Sequence, residues 1–315
     1  MTNEKEEIYD VLVVGAGCAG LSAGMYSGRF NLRTAVVGEL PGGMITTTHI
    51  VENYPGFVSI SGQGLADALL KHMESYDVPL LMRKVEDVKK EGGLFVLKTD
   101  SGTLRGRTLI AATGTEWKKL GIPGEKEFAN KGVHYCALCD GAFYKNKVMA
   151  VVGSGDSAVK EAAMLAGMAS KLYMLVRGEG LHAEPVTMKA LKACKNVEVF
   201  TQVQVKEVAG DKKARELVLS RKIAPAGGKE SERLAVDALF VQIGHSAQTQ
   251  WLDDLQVAKN AKGEIVIDRL ARTNVEGLYA AGDCTDTEFK QAITGAAEGV
   301  SAAYSAYSHL TKGKK

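Results

Sequence analysis

The chain has 315 residues, 45% of them apolar, with 39 basic against 37 acidic side chains and a formal charge of +2. That length exceeds one ordinary core and suits two domains, and a charge this balanced, with only the Lys312-Gly313-Lys314-Lys315 tail locally basic, argues against a nucleic-acid partner. Met1 to Glu7 is polar, no apolar run approaches the roughly 18 residues of a membrane span, and the five cysteines are few and odd in number, so a soluble cytoplasmic protein with no membrane partner is expected, any disulfide in it being catalytic rather than a staple.

Ile8 to Val14 reads as a buried parallel strand that runs into Gly15-Ala16-Gly17-Cys18-Ala19-Gly20 and a small-residue helix to Gly28. This is a G-x-G-x-x-G loop in its proper setting. Gly15 permits the tight turn, Gly17 lets the backbone approach a pyrophosphate, and Gly20 lets helix and strand pack closely. The next strand, Arg33 to Val37, ends in Gly38-Glu39. Glu39 stands about 20 residues on, where a ribose-binding carboxylate belongs, with a solvated loop charge as the equal alternative. Two polar turns, Pro41 to Thr48 and Glu52 to Gly56, are candidates to line a cofactor. Gly62 to Tyr76 has helical spacing, and Val85–Val88, Leu94–Leu97 and Thr103–Arg105 alternate as a small antiparallel meander. A further buried strand, Thr108 to Gly114, precedes the punctuating Gly121-Ile122-Pro123-Gly124.

The centre of the chain is Cys136-Ala137-Leu138-Cys139-Asp140-Gly141. Cysteines three residues apart on the first turn of a helix present both sulfurs to one face, where the helix dipole lowers a thiolate pKa and a small disulfide ring can close. The rival is half a zinc site, but Cys18, Cys194 and Cys284 stand singly and supply no second pair, so a redox role is preferred and no metal is expected. Val148 to Val152 then leads into Gly153-Ser154-Gly155-Asp156-Ser157-Ala158 and a helix through Met168, and Leu172 to Val176 completes a second βαβ unit. Pro185 to Cys194 reads as a helix, Val197 to Leu219 as strands around short breaks, Ala224 to Gly228 as a hairpin tip, and Ala238 to Ile243 as a return strand. Near the C-terminus, Gly277 to Asp283 is a short strand that delivers an acid beside a glycine, followed by a helix from about Phe289. Asp283 there can accept from a ribityl hydroxyl or merely cap a turn.

Taken in order, these motifs, with Ala112-Thr113-Gly114, Ile243-Gly244-His245 and Gln291-Ala292-Ile293-Thr294, resemble those of the low-molecular-weight thioredoxin reductases across nearly the whole chain. The resemblance implies an α/β fold of two Rossmann-like domains, the second inserted in the first, each with a parallel sheet and a small antiparallel meander. It sets an FAD domain at 1–117 and 246–315 and an inserted NAD(P)-type domain at 118–245. It implies that Gly15, Gly17 and Gly20 hold the FAD pyrophosphate, that Asn53 approaches the flavin ring, Asp283 the ribityl chain, and Gln291 with Ala292 the pyrimidine edge. Glu39, Gly43, Thr48, Thr113 and Gly282 complete that set, and Gly153, Gly155, Asp156, Ser157 and Arg177 line the nicotinamide dinucleotide. It also implies a homodimer in which reduced flavin reduces a Cys136–Cys139 disulfide with Cys139 against the ring, and in which Asp140, its carboxyl pKa raised by partial burial, protonates the leaving thiolate. The dithiol then reduces thioredoxin or a similar small redox protein by exchange.

Two single positions and one segment depart from that pattern. Met44 and Lys290 stand where glutamine and arginine are common near the flavin. The basic cluster that holds the 2′-phosphate of NADPH is replaced by Val176-Arg177-Gly178-Glu179-Gly180-Leu181-His182-Ala183, one arginine, a mostly neutral histidine and an added acid. NADPH is therefore expected to be a poor donor, with NADH, or a non-nicotinamide reductant such as reduced ferredoxin, in its place. The alternatives are a flavin-dependent dithiol oxidase and a non-catalytic FAD-holding sensor.

Overall fold

The computed structural model describes residues 8–48 and 50–312, the side chain of Cys139 excepted. The polar segment before Ile8, the end of the basic tail and the thiol of Cys139 lie outside the described residues. The chain divides into two compact units, residues 1–116 with 246–315 and residues 117–245.

In the first unit, β1 (Ile8–Val14) is followed by α1 (Cys18–Arg29), β2 (Thr34–Val37), α2 (Gly62–Glu74), β3 (Leu80–Leu81), β4 (Val85–Glu91), β5 (Leu94–Thr99), β6 (Gly102–Ala111) and β7 (Thr115–Trp117). The sheet runs β3-β2-β1-β6-β5-β4. Its parallel core is buried on both faces because residues alternate across a strand. Val11 and Val13 pack with the α1 side, and Leu12 and Val14 with the opposite layer. The expected separation of Thr103–Arg105 from the strand starting at Thr108 is corrected: Thr103–Arg105 and Thr108–Ala111 lie in one continuous strand, β6, which ends at Ala111, three residues before the expected Gly114. Its first half pairs antiparallel with β5 and its second half parallel with β1 and a late strand. Gly106 makes this continuity possible, since a Cβ there would stand 2.8 Å from Leu12 Cγ.

The second unit contains β8 (Val133–His134), α3 (Ala137–Asp140), β9 (Val148–Val152), α4 (Asp156–Ala166), β10 (Lys171–Leu175), α5 (Pro185–Ala193), β11 (Val197–Phe200), β12 (Val205–Gly210), β13 (Ala214–Ile223), β14 (Ser231–Ala235) and β15 (Ala238–Val241). A five-stranded sheet, β11-β10-β9-β15-β8, is parallel throughout, and β12-β13-β14 form an antiparallel layer. Met149 and Val151 face α4, while Ala150 and Val152 face the antiparallel layer. The chain leaves the first unit through β7 and returns through β16 (His245–Ala247), and these two pair.

Back in the first unit, β17 (Leu278–Ala280) pairs with β6 and is followed by α6 (Ala292–Thr311), which starts three residues after the expected Phe289. Gln291 sets the start through a capping box with Thr294. Small residues bring α6 onto α1, because a Cβ on Gly299 would meet Ala19 O at 2.1 Å. Among the described residues no helix is long and apolar enough to cross a membrane.

Candidate functional site

In the first unit the glycine loop is built by exclusion of side chains. Gly15 has φ +112°, and its Cβ would fall 2.0 Å from Ala112 O; a Cβ on Gly20 would fall 1.8 Å from Gly15 O. Gly17, by contrast, has only Gly42 O within reach, at 3.8 Å. It caps α1 without a side-chain hydrogen bond, so the first-turn N–H groups are open to an anion. Gly17 also bridges Gly42, and Gly43 packs against the Gly17 backbone, which brings the second glycine turn to the first. These features fit a dinucleotide pyrophosphate.

Around that loop the structure gathers most of the residues singled out above. Gly282 (φ +80°) packs on Ala19 and donates its N–H to Glu298 Oε2 at 2.7 Å. Asp283 follows it and lies close enough to Cys18 to act on its thiol. Burial first, and the Asp283 charge second, push the Cys18 pKa up to about 11, so this cysteine stays a neutral thiol. Asn53 Nδ2 donates to Gln291 Oε1 at 2.9 Å, and Ala292 opens α6. Thr113 Oγ1 donates to Gln248 O at 2.6 Å, Thr48 closes a 3-10 turn over Gly43–Thr47, and Glu39 is exposed beyond the end of β2. Lys290 is held by protein groups. Its Nζ pairs with Glu264 Oε1 at 2.6 Å and donates to the carbonyls of Asp283 and Thr285, pinning the acid-bearing turn.

The second unit repeats the loop. Gly153 (φ +151°) would place a Cβ 2.1 Å from Gln242 O, and Gly155 caps α4 with nothing within 4 Å of its Cβ direction. Ser157 is exposed in the first turn, but Asp156 Oδ1 already accepts from Glu184 N at 2.9 Å. The segment after β10 folds over this loop. His182 N donates to Ser154 O at 2.7 Å, while Arg177, Gly178 and Glu179 are all exposed.

Cys136 is engaged in a disulfide, and Cys18, Cys194 and Cys284 are free. The helix expected after it is a single turn, α3, continued by a 3-10 turn over Gly141–Tyr144. So short a helix has little dipole, which removes most of the thiolate stabilisation expected from one. The backbone is fixed instead by side chains. Gln242 Nε2 donates to Tyr135 O, Tyr135 OH donates to Glu125 Oε1, and the buried Glu125 carboxylate also accepts from Leu120 N and Gly121 N.

Three neighbours of the dithiol went unread in the sequence. His134 Nδ1 stands 3.0 Å from Asp140 Oδ2, and its Nε2 stands 2.9 Å from Tyr144 OH. Glu161, on the α4 face that supports α3, has its pKa raised to about 7 by burial against the opposing pull of Ala137 N–H, and its Oε2 has no partner. A buried acid at i+3 from Ala158 and i−4 from Leu165, two core positions, was the available signal. Among the described residues no group of three or more His, Cys, Asp or Glu is placed to hold a metal.

Two dinucleotide loops and a disulfide flanked by an acid define a flavin- and nicotinamide-type oxidoreductase architecture. The family described as pyridine nucleotide-disulphide oxidoreductase matches residues 9–299. The chain belongs to that family, and within it to the low-molecular-weight thioredoxin reductase type, which implies FAD and a nicotinamide cofactor. Thioredoxin reductase of Mycoplasma genitalium is 36% identical, over 94% of this chain and 93% of its own. A subunit of the alkyl hydroperoxide reductase of Escherichia coli is 39% identical over 98% of this chain, and NADH dehydrogenase of Bacillus subtilis 37% over 98%; the chain spans 60% of the length of each. Thioredoxin reductase of Lactococcus lactis superposes with a TM-score of 0.89 at 30% identity, covering 96% of this chain and 99% of that one.

Proposed function

We propose that this protein is a disulfide reductase that takes electrons from NADH in preference to NADPH, passes them through FAD to the Cys136–Cys139 pair, and reduces thioredoxin or a similar small protein, working as a homodimer. The observation that carries this reading is the disulfide at Cys136, set one turn before Asp140 in a unit that has its own dinucleotide loop. FAD would be held by Gly15, Gly17 and Gly20 at its pyrophosphate, Glu39 at a ribose, Asp283 at the ribityl chain, and Asn53, Gln291 and Ala292 around the ring, with Gly43, Thr48, Thr113 and Gly282 shaping the walls. When bound, it supplies two electrons to the disulfide. The chain's own part is then acid–base and positional: Asp140 protonates the departing sulfur, and the Tyr135–Glu125 knot holds the strand end that presents the cysteine.

The donor preference rests on the segment after β10. A 2′-phosphate needs arginines, and only Arg177 is offered, beside the repelling Glu179. Glu179 follows β10 by a few residues, where an acid can accept from ribose hydroxyls. The name NADH dehydrogenase carried by one relative agrees with this preference. Anaerobic titration of the purified protein with NADH, NADPH and reduced ferredoxin, following the flavin absorbance, tests it. NADH is expected to bleach the flavin at the lowest concentration. Saturable reduction by micromolar NADPH would overturn the preference, and reduction by ferredoxin alone would move the donor to a non-nicotinamide carrier.

A further inference from the structure

We propose that His134 is a positioning residue for Asp140, holding that acid beside the dithiol through Nδ1, with Tyr144 pairing its other nitrogen; this rests on the disulfide-reductase reading above. His134 ends β8 and is only 4% exposed. A buried imidazole costs free energy unless its nitrogens are satisfied. Its ring stacks on Phe240 at 5.5 Å between centroids and meets the edge of Tyr144 at 5.2 Å, so it has one orientation. In that orientation one nitrogen faces a phenol and the other faces the carboxylate.

Tyr144 pairs with either tautomer, because a phenol both donates and accepts; the carboxylate of Asp140, which only accepts, favours a hydrogen on Nδ1. Burial, then the charges of Asp140 and Asp237, raise the Tyr144 pKa, so the phenol keeps its hydrogen, and with Nδ1 protonated its hydroxyl donates a hydrogen bond to Nε2. The imidazole hydrogen then sits on Nδ1, toward Asp140. At 3.0 Å the two are within hydrogen-bond distance but out of line. Catalytic contacts of this kind tighten when the partner docks. The other groups at this end of the unit are Asp237, acting on Tyr144, the adjoining Tyr135, bound to Glu125, and Glu161, which meets the far end of α3 at Ala137; Phe240 is apolar.

In the exchange step an attacking thiolate forms a bond to one partner sulfur, the partner's S–S bond breaks, and the departing sulfur keeps the electron pair and takes one proton. Asp140 gives that proton and regains one from water, while the Nδ1–H of His134 holds the carboxyl group in place.

Two measurements test this. Ring nitrogen NMR of the wild-type protein is expected to show His134 as the Nδ1–H tautomer, converting to a mixture in Asp140→Asn; an Nε2–H tautomer in the wild type overturns the proposal. His134→Phe keeps the stack on Phe240 but removes both nitrogens, and His134→Asn keeps a donor near the Nδ1 position. With prereduced protein and oxidised thioredoxin, His134→Phe should lower the exchange rate about tenfold and change its pH profile in the same sense as Asp140→Asn, and His134→Asn should recover part of the rate. A wild-type rate and pH profile in a folded His134→Phe overturns the proposal, and should that variant not fold, a wild-type profile in His134→Asn does so. Wild-type protein that reduces no disulfide would refute the reductase reading instead, while the tautomer is read without substrate.

Discussion

Rebuilding the missing phosphate clamp should convert the donor preference. The perturbation is Gly178→Arg with His182→Arg. A Cβ at Gly178 has nothing within 4 Å, and both positions are exposed, so the new side chains displace no packing. The backbone is already held, Gly178 O by Gln202 N and His182 N by Ser154 O. A charge-assisted hydrogen bond to phosphate is worth about 1.5–3 kcal/mol, and solvent screening at exposed sites reduces this to about 1–1.5 kcal/mol per arginine. Two such contacts give about 2–3 kcal/mol, or roughly 30- to 150-fold in Kd for NADPH. NADH has no phosphate at that position and should change little. Anaerobic flavin-bleaching titrations with each nucleotide, at two salt concentrations, measure both, and the gain for NADPH should shrink at high salt. Equal gains for NADH and NADPH, or no gain for either, would refute the reasoning.

Cys136→Ser and Cys139→Ser should each abolish reduction of oxidised thioredoxin while leaving FAD content unchanged, because the proposed FAD site is in the other unit; this is read by turnover and by flavin-to-protein ratio. Gly20→Ala should destabilise the protein by more than about 3 kcal/mol, since its Cβ would meet Gly15 O at 1.8 Å, whereas Gly17→Ala should fold normally and lose FAD affinity, with melting curves separating the two. Glu161 binds a proton more tightly folded than unfolded, because burial raises its pKa from 4.5 to about 7. Native-state stability should therefore fall as pH rises between those values, by about 3 kcal/mol, and Glu161→Gln should remove that fall. Parallel denaturation curves for the two proteins across pH 4.5–8 would exclude it.

Both glycine loops, the dithiol and most strands were legible in the sequence because each depends on neighbours within a few residues. A positive φ at Gly15, a helix start at Gly17 and alternation along β1 are local requirements, and local requirements leave a mark on residue type. The apparent gap between Thr103–Arg105 and Thr108–Gly114 misled for a physical reason: Gly106 reads as a break, yet it is a glycine because Leu12 lies beneath it. The pairing of Asn53 with Gln291 spans 238 positions, and Lys290 reaches back to Glu264 to hold the turn of Asp283. Such contacts depend on how strands β1, β6 and β17 are ordered in the sheet, which no short pattern encodes. The same is true of the acid's surroundings. Sequence placed Asp140 beside the cysteines, but only the folded second unit puts Phe240 under His134, turns its two nitrogens toward Tyr144 and Asp140, and buries Glu161 against Ala137. Local chemistry chose the reactive residues, and the long-range pairing of β15 with β8 and packing of α4 on α3 chose what surrounds them.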